Sequence, residues 1–159
     1  METLGMANSA IDHYLTLTRS PLLLTPIIES FYQTSKPSEK NILLGYLILP
    51  LALYPASKEF LKKANKASSI RTLCSERSRI AGLPQRINEL RSISSIAIQN
   101  SVSCGRLIIH SDLSLMCKDG LAINNHGMVD EQKASKRLAT MFAPYDIPTI
   151  YRLLGVTKL

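Results

Sequence analysis

The chain of 159 residues contains no tryptophan, and only 6% of it is aromatic. That scarcity argues against a carbohydrate site and against a platform that stacks successive bases. Cysteine is also sparse. Cys74, Cys104 and Cys117 lie far apart, with no CxxC and no Cys/His spacing of the zinc kind. An odd, scattered set does not make a disulfide framework, so a reduced, intracellular protein is expected. Charged residues make up 19%, below the ~25% usual for soluble domains. Long hydrophobic runs are missing too. The most apolar stretch, Ile42 to Tyr54 (ILLGYLILPLALY), is 13 residues long, whereas a spanning helix needs about 20. Pro50 interrupts it, so a buried core helix is expected and no membrane contact. The opening METLGMANSAIDHY has no basic region followed by an apolar run, so no secretory signal is expected. Together these traits point to the cytoplasm.

Catalytic patterns are equally scarce. His13, His110 and His126 fall in separate elements, none with a neighbour at metal-ligand spacing. His110 and Asp112 alternate on a possible strand, but a nucleophile, a base and an orienting group must converge in space before catalysis follows. Neither a GxxxxGK[ST] loop nor a GxGxxG after a strand occurs. Asp119-Gly120 reads as a hairpin turn, and Cys104 and Cys117 read as core filler. No catalytic residue, metal site or cofactor is expected.

What is present is apolar material, 45% of the chain, enough for one core. A domain of ~150 residues buries roughly 70% of its unfolded surface. Residues 1–18 read as an N-terminal arm and 19–159 as one domain. Ser20 followed by Pro21 opens a helix to about Gln33, with Leu23, Leu24, Ile27, Ile28 and Phe31 at helical spacing. Ser38-Glu39 opens a second helix, apolar all round and therefore buried all round, kinked or ended by Pro50. Ala56 to Lys66 reads as a short basic amphipathic helix, with Phe60, Leu61 and Ala64 inward. Ser68 or Ser69 caps another through Cys74, and Gly82-Leu83 closes a segment around 77–81. Pro84 opens the clearest helix, whose face is Ile87, Leu90, Ile93, Ile96, Ala97 and Val102, with Gly105 just past its end.

The pattern then turns to short β-prone runs at 106–109 and 113–116, with a further one at 121–123. A helix from Asp130 to about Ala143-Pro144 and a last one from Ile147 to Leu154 complete the chain. The expected class is mainly α (α+β): a helical bundle with a small β-hairpin near 106–123, winged-helix-like in outline.

The net charge of +7 is concentrated. Between Ala56 and Arg91 lie Lys58, Lys62, Lys63, Lys66, Arg71, Arg77, Arg79, Arg86 and Arg91, opposed only by Glu59, Glu76 and Glu89. Six of the seven net charges therefore sit in this segment. A focused basic surface attracts phosphate backbones or an acidic protein, and the lack of interleaved aromatics favours backbone contact over base readout. The same charges could equally form a solvated face.

Several stretches together carry a resemblance: SPLLLTPIIESFYQ, ILLGYLILPLALYPASKEFL, LPQRINELRSISSIAI and the closing IYRLLGV. In order and pattern they resemble the middle component of bacterial three-component ABC systems, the Lamassu-type defence systems. Phe142 in LATMFA matches an aromatic usual in that family's penultimate helix. The resemblance covers roughly residues 19–157.

It implies a small non-enzymatic subunit of an anti-phage or anti-plasmid complex. Its partners would be an SMC/Rad50-like ABC ATPase and an effector, often a nuclease, which it bridges and restrains. Double-stranded DNA is a further expected partner. The basic residues above would meet DNA or an acidic partner, and Tyr151, Leu153, Leu154 and Val156 would form a protein interface. The alternative is a free-standing winged-helix regulator, with 84–103 as recognition helix and 106–123 as wing. Its base-reading candidates are Arg86, Glu89, Arg91, Ser94, Ser95 and Gln99.

Overall fold

The computed structural model describes residues 19–123 and 127–158. His13, His126 and the N-terminal arm lie outside the described residues. Helix α1, Pro21–Thr34, is the centre of the bundle. Pro21 occupies its first turn, where a missing N–H costs nothing. Its inward side chains Leu24, Ile27, Ile28 and Phe31 are fully buried. Each contributes about 1.5–3 kcal/mol of burial.

The second helix starts later than expected. Lys40 takes a left-handed conformation, a 3-10 turn follows over Asn41–Leu44, and α2 spans Gly45–Ala52. The cause is Asn41. Its side chain donates to the Leu115 carbonyl (3.0 Å) and accepts from the Leu115 N–H (2.6 Å), holding the turn to the hairpin as a strand edge would. The buried Tyr32 hydroxyl donates to the Asn41 carbonyl (3.0 Å). Helix α2 is buried on nearly every side, with only Tyr46 half-buried, and Pro50 lies within it without ending it.

Three short helices follow: α3 (Pro55–Lys63), α4 (Ile70–Cys74) and α5 (Arg77–Ile80). Helix α3 stops three residues before the expected Lys66, because Ala64 is extended. Its Phe60 is half-buried, while Leu61 and Ala64 belong to the core. Ser69 caps α4 through a reciprocal box with Thr72. Gly82, at φ +67°, turns the chain into the long helix α6, Leu83–Ser103, so Leu83 opens the next helix instead of closing the previous segment.

On α6 the buried line is Leu83, Ile87, Leu90, Ser94, Ala97, Ile98 and Ser101. Ile96 is 44% exposed, against expectation. It lies about 100° round the helix from Ala97 and further still from Ser94, since each residue advances one 3.6th of a turn. Two serines occupy the core line that the apolar pattern assigned elsewhere.

Strands β1 (Leu107–Ile109) and β2 (Leu115–Cys117) pair antiparallel, Leu107 opposite Cys117. No third strand forms at 121–123. Instead, the Leu121 carbonyl accepts from the Gln33 side chain and the Ala122 carbonyl from Arg106. Cys117 is buried, but Cys104 is exposed just past α6 and fills no core. Helix α7 (Val129–Phe142) lies along α1, and the Ser135 hydroxyl donates to the Ile27 carbonyl (2.6 Å). Asp146 caps the last helix, α8 (Ile147–Leu153). The architecture is the expected mainly helical bundle with a small hairpin.

A buried charge sits inside. Glu29 of α1 is 1% exposed. It receives Arg106 through both carboxylate oxygens (2.8 and 2.9 Å) and also the Ser101 hydroxyl. This bidentate pairing ties α1 to the α6–β1 junction.

Candidate functional site: the basic segment

The nine basic residues separate into two groups. Lys58 pairs with Glu131 of α7 at 3.1 Å, and Lys62 with Asp130 at 3.0 Å and Glu59 at 3.4 Å. The Asp130 carboxylate holds the Lys62 ammonium above its ordinary value. Arg79 pairs with Glu76 (3.0 Å), lies 4.2 Å from the centre of the Phe60 ring and donates to the Thr72 carbonyl (2.8 Å).

Arg86 is used by the fold. The last carbonyls of a helix lack intrahelical partners, and those of α2 are buried. Arg86 Nε donates to the Pro50 carbonyl (3.2 Å), while the Ser57 hydroxyl takes the Leu51 carbonyl (2.5 Å). The same guanidinium lies 3.6 Å from the centre of the Tyr54 ring and donates to the Ala81 carbonyl. Burial lowers its pKa from the ordinary arginine value.

The second group faces solvent. Lys63, Lys66, Arg71 and Arg77 are exposed and form no ion pair among the described residues. Arg91 is exposed on α6 and donates to Asn88 (3.2 Å). Sequence reasoning passed over a further set on α7. Lys133 and Lys136 are exposed and Arg137 is half-buried, again without ion pairs among the described residues. The signal was the charge order along this helix: acids in its first turn, cations after them. Those acids meet α3, which leaves the cations over.

Other predicted positions lie elsewhere. Tyr151, Leu154 and Val156 are buried in the chain's own core, and Leu153 packs half-buried against it. The Tyr151 hydroxyl donates to the Leu43 carbonyl (2.5 Å), and burial pushes its pKa up. The Cys74 thiol donates to the Leu153 carbonyl (3.4 Å), and burial raises its pKa as well. Of the six side chains proposed to read bases, only Glu89, Arg91 and Gln99 are exposed. Ser94 is fully buried, half-buried Ser95 bonds Tyr46 (3.1 Å), and Arg86 caps α2.

His110 is exposed, and Asp112 accepts from the Ser114 hydroxyl (2.7 Å) and N–H (3.0 Å), which holds its carboxyl below the usual range. Among the described residues, no group of three or more His, Cys, Asp and Glu is placed to hold a metal ion, and no helix is long and apolar enough to cross a membrane.

With the geometry in place, comparison with known proteins adds one finding. The family model of the ABC-three component (ABC-3C) system Middle Component 3 matches residues 8–158. The chain belongs to that family. The match extends eleven residues, 8–18, into the segment read as an N-terminal arm. No curated protein and no solved structure matches the chain. As a Middle Component 3 protein, the chain is one part of a multi-component ABC system, whose remaining subunits are its natural partners.

Proposed function

We propose that this Middle Component 3 protein is the non-enzymatic adaptor of a Lamassu-type defence complex. It joins an SMC/Rad50-like ABC ATPase to a nuclease effector and restrains that effector until foreign DNA is sensed. The family match carries the reading, and the surface supports it. Among the described residues, seven large apolar side chains are exposed, including Leu22 and Leu23 at the start of α1 and Ile108, Ile109 and Leu113 on the hairpin. Apolar side chains grouped on one short hairpin suit burial by a larger partner.

The unpaired cations on α3–α5 supply the second contact, toward DNA lying against the complex. Tyr151, Leu154 and Val156 are buried in the chain's own core, which favours the hairpin and the start of α1 as the docking surface.

Co-purification tests this. When the chain is co-expressed with the products of its flanking genes, the expected result is a stable complex containing an ATPase and an effector. A well-behaved monomer that captures neither product contradicts the adaptor.

A further inference from the structure

A cleft of about 270 Å³ opens between the loop after α3 and the C-terminal half of α7. Lys66 and Arg137 contribute the charges of its wall, Ser68, Thr140 and Tyr145 contribute hydroxyls, and buried Met141 lies beneath. No carboxylate lines it. Neither cation has an ion pair among the described residues.

A half-buried guanidinium without an anion gives up hydration for nothing in return. The acids of α7, Asp130 and Glu131, are already held by Lys62 and Lys58, so no acid of α7 is left to supply the cleft's counter-charge. Its size limits the choice. Pockets for whole small molecules run from about 300 to 1,000 Å³, and this one is smaller, fitting a single anionic group. The exposed cations Lys63 and Lys136 flank it in sequence on α3 and α7. One anion in a cleft with further cations alongside is the pattern a repeating polyanion satisfies. A guanidinium fork also suits a phosphate's paired oxygens.

We propose that this cleft seats one backbone phosphate of duplex DNA between Lys66 and Arg137. Contact with DNA then runs across the junction of α3 and α7, beyond the segment 56–91. The inference rests on the reading that the basic face meets DNA.

The test is titration of the full chain against a short random-sequence duplex over a range of salt. Arg137→Gln and Lys66→Gln should each weaken binding roughly tenfold. Each should also lower the slope of log K against log salt by about one. Lys118→Gln, exposed just past β2, should bind as the wild type does. The Arg137 Nε–H resonance of the unmutated protein should shift when duplex is added, a readout that needs no variant.

If Arg137→Gln and Lys66→Gln bind normally while Lys63→Gln/Arg71→Gln/Arg77→Gln does not, the cleft assignment is overturned and the DNA contact stands. If the wild type binds no duplex, both fall. If a poly-glutamate peptide of equal charge shifts Arg137 as strongly as the duplex does, the cleft belongs to an acidic protein and the phosphate assignment is overturned.

Discussion

Helices α1, α2 and α7 on one side, and α3 to α5 on the other, use their residues in opposite ways. In the first group the core-facing side chains are spent on each other. Phe31 packs edge-to-face on Tyr32 and Phe142, α2 is buried on nearly every side, and even the charge on Glu29 is enclosed. The second group is short, carries few core side chains, and with its loops holds most of the net positive charge. The boundary between them is not the charge itself. Lys58, Lys62, Arg79 and Arg86 belong to the basic segment by sequence, yet they hold the fold together. Lys63, Lys66, Arg71 and Arg77 share that sequence segment but hold nothing within the described chain. A basic run therefore has to be divided residue by residue before it is assigned to a partner.

The division can be broken at its strong end first. Leu49 is fully buried in α2, so Leu49→Asp should abolish folding by burying an unpaired charge. Loss of the cooperative thermal transition in circular dichroism checks this. Glu29→Ala should cost about 2–3 kcal/mol. It removes the carboxylate that Arg106 and Ser101 meet, a loss moderated because Arg106 remains partly in water. Chemical denaturation measures it.

Arg86→Ala decides whether the boundary is drawn correctly. As a solvated cation it should be nearly neutral. As the cap of α2 and the partner of Tyr54 it should cost about 1–2 kcal/mol, read from the same denaturation curves.

A smaller effect is expected at Asp146, whose carboxylate accepts from the Thr149 N–H (3.0 Å) at the start of α8. Hydrogen bonding from the Thr149 side chain, and then from this N–H, holds its pKa below the ordinary 3.8. A depressed carboxylate stabilises the fold above its unfolded pKa, and the contribution disappears as pH falls through the lower folded value. An NMR titration should place its midpoint under 3.8, and Asp146→Asn should remove this part of the acid dependence.

The helices were legible where a local signal existed. Ser20-Pro21, Ser69 and Gly105 mark ends that the chain obeys within a residue or two. Boundaries failed where a distant residue decided them. Asn41 delays α2 because Leu115, far along the chain, needs its side chain. Ser94 and Ser101 take core positions on α6, with Ser101 bonded to Glu29. The candidate site was legible as a segment but not as individual residues. The acids that neutralise Lys58 and Lys62 come from α7, and only packing of α3 on α7 brings them together. The same packing hid Arg137, isolated in sequence from the basic run and adjacent to it in space.

The most direct test is to reverse only the cations that the fold leaves unused. Lys63→Glu/Lys66→Glu/Arg71→Glu should melt within a degree or two of the wild type, since exposed substitutions change stability by about 0.5 kcal/mol or less. Affinity for a random-sequence duplex, measured by fluorescence anisotropy, should meanwhile be lost. A triple variant that stays folded and binds the duplex as tightly as the wild type would show that these cations are only a solvated face.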